Sequence, residues 1–270
     1  MSYKLAVIGV GNMARAVISG IQKSTVDVSE ILLYDKNTSQ YDLLEDGRCA
    51  YVQCDSVKYA VDMADCVLLS VKPQNFPDVL SEIKDVVGSA SKLYITIAAG
   101  ISVDTVSQAL KNAPVIRVLP NIPMTIGEGV SVVCKNDSVN PSDFEFVCSL
   151  FRSAGSTVLI DESEMNRIIG VTSSSPAYVF KFIDAIYKGA ISQGISTDGL
   201  INAICDVFIG SAMLLKQSGE APEVLISKVA SKGGTTEKAL AVLEERDVDG
   251  IISDAMTACT KRADELGNNK

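Results

Sequence analysis

The first fourteen residues constrain this chain most. Lys4-Leu5-Ala6-Val7-Ile8 is a short apolar run that stops at Gly9, and a helix-like segment opens at Asn12-Met13-Ala14. Gly9 through Ala14 spells G-x-G-x-x-A, the Ala-ended form of the dinucleotide-binding fingerprint. Gly9 permits the tight strand-to-helix turn, Gly11 lets a pyrophosphate approach the backbone, and Ala14 lets helix and strand pack closely. The helix start then offers unpaired N–H groups to phosphate oxygens. An ordinary glycine-rich turn would also explain two glycines. The context argues for more, because a second strand, Glu30 to Tyr34, ends on Asp35, near where a ribose-reading acid is expected.

Apolar runs recur at 5–9, 31–34, 66–71, 93–98, 115–119, 130–134 and 157–160, with amphipathic or capped segments such as 102–110 and 141–154 between them. Strands alternating with helices predict a mostly parallel sheet covered on both faces, an α/β Rossmann-like domain over residues 1–161. Beyond Asp161 no convincing strand appears. Helical segments are expected at 165–192, where Pro176 and Ser173-Ser174-Ser175 must bend or start the helix, and at 197–217, 222–230, 236–246 and 248–266, an all-α domain over 162–270. Ile201, Ile204, Val207, Phe208, Ala212 and Leu215 recur at helical spacing, as do Val179, Phe182, Ile183 and Ile186. So small a domain cannot bury all these faces alone, so packing against a second subunit is expected.

Composition removes whole classes of chemistry. The 270 residues contain no His, which excludes every His-based triad, relay and general base. Seven scattered cysteines without a C-x-x-C pair read as buried thiols, and no metal site is expected. The net charge of −9 argues against a nucleic-acid partner. No apolar run is read as long enough to span a bilayer, and no basic stretch leads into a signal-peptide core, so a cytoplasmic protein without a membrane partner is expected.

Three strand ends carry small, polar or Pro-locked residues suited to lining a cofactor cleft: Ser70-Val71-Lys72-Pro73, Ala98-Ala99-Gly100, and Arg117 through Pro123 with Asn121 inside it. Asp35 would accept from a ribose 2′-OH and repel a 2′-phosphate, favouring NADH, with Lys36 beside it softening that repulsion; as a turn residue it would only cap 37–39. Near the C-terminus, Ser231-Lys232-Gly233-Gly234-Thr235-Thr236 precedes an amphipathic helix. Glycines and hydroxyls at a helix start make an anion cradle suited to a substrate carboxylate, or else a simple N-cap.

Together these pieces resemble the pyrroline-5-carboxylate reductase family over essentially the whole chain. The resemblance rests on Gly9–Ala14, Val71-Lys72-Pro73, Ala99-Gly100, Arg117 through Pro123, Ser175-Pro176-Ala177-Tyr178, and above all Val229 through Thr236 followed by Ala239-Leu240 and Leu243-Glu244. It implies a Rossmann domain, a helical dimerisation domain assembling as a homodimer or ring of dimers, NADP(H) or NAD(H) as cofactor, and reduction of a cyclic imino acid to L-proline. It also implies that Thr236 contacts substrate at the ring nitrogen, and that N–H groups around Gly234 and Thr235 hold the carboxylate. The chain departs from the family at Ser173-Ser174-Ser175 (usually Gly-Ser-Gly), Lys232 (usually Pro), Val57 (commonly Asn) and Asp35 (often small and polar). Two alternatives are a paralogue reducing another imine or keto acid, and a non-catalytic NADP-sensing regulator.

Overall fold

The computed structural model describes residues 2–86, 88–195 and 198–268. Eight strands form one sheet: β1 (Tyr3–Ile8), β2 (Val28–Tyr34), β3 (Ala50–Gln53), β4 (Cys66–Leu69), β5 (Leu93–Thr96), β6 (Val115–Leu119), β7 (Gly129–Lys135) and β8 (Gly155–Leu159). Their order is β3-β2-β1-β4-β5-β6-β7-β8, parallel except where β7 runs against β6. The order reverses between β1 and β4, so the loops leaving these two strands open a crevice at the carboxyl edge.

Side chains alternate between two cores. Leu5 and Val7 of β1 join a cluster with Val17, Ile18 and Ile21 of α1 (Asn12–Lys23) and with Phe146, Val147, Leu150 and Phe151 of α5 (Pro141–Arg152). Ala6 and Ile8 face the other way, onto α2 (Val57–Met63), α3 (Phe76–Ile83) and α4 (Val103–Ala109). Burial on both faces is why the central strands read as unbroken apolar runs. β3 was missed because it is four residues long and only partly buried.

The second half is helical: α6 (Ser175–Ser192), α7 (Leu200–Ser218), α8 (Pro222–Val229), α9 (Thr235–Glu245) and α10 (Val248–Asn268). Of the two alternatives for the 165–192 segment, the serines and Pro176 start the helix rather than bend it: α6 begins at Ser175. Pro176 lacks an N–H and belongs in a first turn, and residues 162–164 and 167–170 form short 3-10 turns. Met165 is fully buried in the sheet core, with Ile168 and Ile169 packed against it. Thr197, the expected start of the next helix, lies outside the described residues.

By spatial clustering the chain divides into one unit of residues 1–174 and 257–270 and another of 175–256. The 162–174 segment and the end of α10 thus group with the α/β unit. Among the described residues of the second unit only Ile204 is a buried hydrophobic, while Phe180 is 60% and Val207 65% exposed. One sequence expectation is corrected here: α7 is long and apolar enough, by length and composition, to cross a membrane.

Candidate active site

The cleft at the β1/β4 reversal measures roughly 390 Å³ and is lined by Gly9, Gly11, Asp35, Ser70, Val71 and Lys72, together with Lys36 and Val57. The two fingerprint glycines are there for different reasons. Gly9 sits at φ +92°, and a Cβ on it would meet the Ser70 carbonyl oxygen at 2.8 Å and Val71 Cγ1 at 3.0 Å. Gly9 is therefore demanded by the fold itself. At Gly11 φ is −75°, and a Cβ would meet nothing within 4 Å. Neither backbone nor packing requires glycine there, which leaves space for a ligand. Gly11 also caps α1 without a side-chain hydrogen bond, and no acid occupies the first turn, so no side chain of the helix start neutralises the positive end formed by the N–H groups of Asn12, Met13 and Ala14. Ala14 is fully buried under the strand.

The loop is held in place from both sides. Asp35 Oδ2 accepts from the Val10 N–H at 2.6 Å, and Oδ1 accepts from the Asn37 N–H at 2.8 Å. Arg15 donates from Nη1 to the Val10 carbonyl at 3.2 Å and to Gln40, and from Nη2 to Asn12 Oδ1 at 2.6 Å. The Asp35 N–H donates to the Tyr41 hydroxyl at 2.7 Å, and burial pushes the Tyr41 phenol up, keeping it protonated. Asp35 is thus a turn residue and a clamp on the fingerprint at once. Its carboxylate has lone pairs left for a ribose.

Sequence reasoning missed Gln74, Asn75, Val79 and Glu82, which also line this cleft. The signal was the Pro73-Gln74-Asn75 turn, which brings the start of α3 under the β4 loop. Pro73 opens that turn without lining the cleft. Ala98, Ala99, Gly100 and Asn121 likewise lie outside its lining, at the ends of β5 and β6. Gly100, at φ +76°, is approached by the end of α10: a Cβ there would meet Leu266 Cβ and the Gly267 nitrogen at 3.1 Å. Asn121 is committed internally, accepting from the Val130 N–H at 2.8 Å and donating to the Thr172 carbonyl at 3.1 Å. Buried Arg117 donates to Asn166 Oδ1 at 2.9 Å and pairs with Glu162 at 3.4 Å. Glu162 in turn accepts the Val103 N–H at the start of α4 at 2.7 Å. This network fixes the β5–α4 connection.

In the second unit, Ser231, Gly233, Gly234, Thr235 and Thr236 come together at the start of α9. The cap is Gly234, with no side-chain hydrogen bond. Neither threonine caps the helix, so its first-turn donors have no side-chain acceptor within the loop. The Gly234 N–H donates to the Ser231 carbonyl at 2.9 Å, and a Cβ on Gly234 would meet Ser231 Oγ at 2.8 Å. The Gly233 N–H donates to Glu237 Oε2 at 2.6 Å.

Similarity to known proteins extends along the whole chain. The family described as pyrroline-5-carboxylate reductase dimerisation matches residues 162–266, and the family described as NADP oxidoreductase, coenzyme F420-dependent, matches residues 4–100. Pyrroline-5-carboxylate reductase of Escherichia coli (strain K12) is 33% identical over 271 residues, covering 100% of each chain. That of Corynebacterium melassecola is 32% identical, covering 98% of this chain and 99% of its own. Among solved structures, a pyrroline-5-carboxylate reductase from Coxiella burnetii aligns over 100% of each chain at 26% identity and a TM-score of 0.90. A pyrroline carboxylate reductase from Plasmodium falciparum with NADP bound aligns over 98% of each at 26% identity and a TM-score of 0.87.

Proposed function

The chain belongs to the pyrroline-5-carboxylate reductase family, and from that premise we propose how its residues divide the work. It is an NAD(P)H-dependent oxidoreductase that reduces 1-pyrroline-5-carboxylate to L-proline, the last step of proline biosynthesis, and it acts as a homo-oligomer. The finer assignments are our reading. Residues 1–161 hold the dinucleotide, and residues 162–270 supply the dimer contacts and the substrate loop. The enzyme works in the cytoplasm, without nucleic-acid or membrane partners. The apolar faces of α6 and α7 are covered by a second copy.

One observation carries the cofactor assignment: Gly11 is glycine although neither its backbone nor its packing asks for it. A pyrophosphate over Gly11 would face the N–H groups of Asn12, Met13 and Ala14, the arrangement by which helix starts bind anions. Asp35 stands where the adenosine ribose would lie, and Ser70, Val71 and Lys72 form the opposite wall, followed by Pro73. Ala98, Ala99 and Gly100 flank the continuation at the end of β5. Asn121 shapes this edge through its internal bonds. Asp35 tilts the preference toward NADH.

The bound dinucleotide supplies a hydride. The chain supplies binding and orientation, which suits a protein without histidine. An imine protonated on nitrogen is already an electrophile, so no strong acid is needed. The first-turn N–H groups of Thr235 and Thr236, with Gly233, Gly234 and Ser231 shaping the loop, receive the substrate carboxylate. The Thr236 hydroxyl hydrogen-bonds the ring nitrogen. Holding the reactants in register is then the main source of rate. Purified protein given pyrroline-5-carboxylate should form proline and oxidise NADH or NADPH in equal amount. No proline with either cofactor refutes the assignment.

A further inference from the structure

The α9 loop carries an acid that the proposed reaction does not use. Glu237 lies in the first turn of α9, and its Oε2 takes the Gly233 N–H at 2.6 Å. A Glu at this position of a capping box normally reaches back to the cap residue's own N–H, opposite a Ser or Thr cap. Here the cap is Gly234, the cap N–H is spent on the Ser231 carbonyl, and Glu237 reaches one residue further, into the loop. The loop that receives the substrate carboxylate therefore already holds a carboxylate of its own chain.

We propose that Glu237 is a specificity-setting internal competitor for the carboxylate of the cyclic imino acid. The inference rests on the placement of the substrate carboxylate in this loop. Glu237 holds the Gly233 N–H while the substrate carboxylate takes those of Thr235 and Thr236, so the two anions sit on neighbouring donors of one loop and face the same positive helix end. Two carboxylates within a few ångströms also repel each other. Binding of substrate must displace Glu237 or tolerate it, and either way the acid raises KM without touching the reacting atoms. The same acid disfavours ligands that bring more negative charge to the loop.

The competition has a sign opposite to that of a supporting residue. Glu237→Ala should lower KM for pyrroline-5-carboxylate about three- to tenfold, the range of repulsion between two partly exposed carboxylates on one loop. The kcat should move less than twofold, and the KM for NADH should stay put. Glu237→Gln, which keeps an acceptor but loses the charge, should fall between. Unsubstituted 1-pyrroline has no carboxylate, so its KM should be the same in wild type and Glu237→Ala. A KM for pyrroline-5-carboxylate that rises or stays constant in Glu237→Ala overturns the proposal, as does an equal drop for both imines. Thr236→Ala, assayed in parallel, separates the two failures. If it loses activity while Glu237→Ala leaves KM unchanged, only the competition is wrong. If neither variant alters turnover of pyrroline-5-carboxylate, the substrate loop itself is misplaced.

Discussion

Asp35→Ser should move cofactor preference toward NADPH, and the size of the move follows from how the carboxylate is held. Two backbone N–H groups, from Val10 and Asn37, fix it at 2.6 and 2.8 Å on the wall of the cleft. It cannot swing aside to accommodate a 2′-phosphate. Two unit charges about 7 Å apart at an effective dielectric near 20 repel by about 2 kcal/mol, and salt in an open cleft reduces this. A range of about 1–3 kcal/mol corresponds to a rise of about five- to 150-fold in the NADPH/NADH ratio of kcat/KM. Serine also abandons at least one of the two N–H bonds, so NADH efficiency should fall as well. Asp35→Asn keeps the shape with one acceptor and isolates the charge. Initial rates with both cofactors, at low and high salt, give the ratio for each variant. The shift should shrink as salt rises. If both efficiencies fall together and the ratio is unchanged, Asp35 is only a clamp on the fingerprint loop.

Gly11→Val should abolish cofactor binding in a calorimetric titration while leaving the melting temperature near wild type, because a Cβ there meets no protein atom within 4 Å and φ is an ordinary −75°. Gly9→Ala should do the reverse in emphasis, costing about 1–3 kcal/mol of stability from its positive φ and its collision with Ser70, read by denaturant unfolding. Thr236→Ala should reduce kcat/KM about ten- to a hundredfold, the loss of one hydrogen bond to a charged partner, with cofactor affinity unchanged by titration. Total loss would mark Thr236 as an obligatory proton donor. Sedimentation at micromolar concentration should show at least a dimer, since the 175–256 unit buries almost none of its own apolar side chains; a monomer would refute that use of α6 and α7.

The parts of this protein legible in its sequence are those fixed by local rules. Central strands are buried on both faces and so appear as apolar runs. The fingerprint is a contiguous turn, and the Gly-Gly-Thr-Thr loop opens a helix directly. What was hidden depends on contacts between distant segments. Met165, Ile168 and Ile169 carry helical spacing, yet they pack as 3-10 turns against the sheet, and periodicity alone cannot separate a helix face from a buried turn. Asn121 reads as a cleft residue until the Val130 N–H and the Thr172 carbonyl are seen to use its amide.

The fingerprint itself shows where sequence reading stops. Gly9 and Gly11 are the same letter in the same motif, but one answers to the Ser70 backbone and the other to empty space. Asp35 joins two roles: by clamping the Val10 N–H between these glycines, the residue we propose to discriminate ribose also sets the shape of the fingerprint loop. A substitution that changes cofactor choice at this position must therefore also perturb the loop. Switching preference without losing efficiency would require a second change that restores an acceptor for Val10.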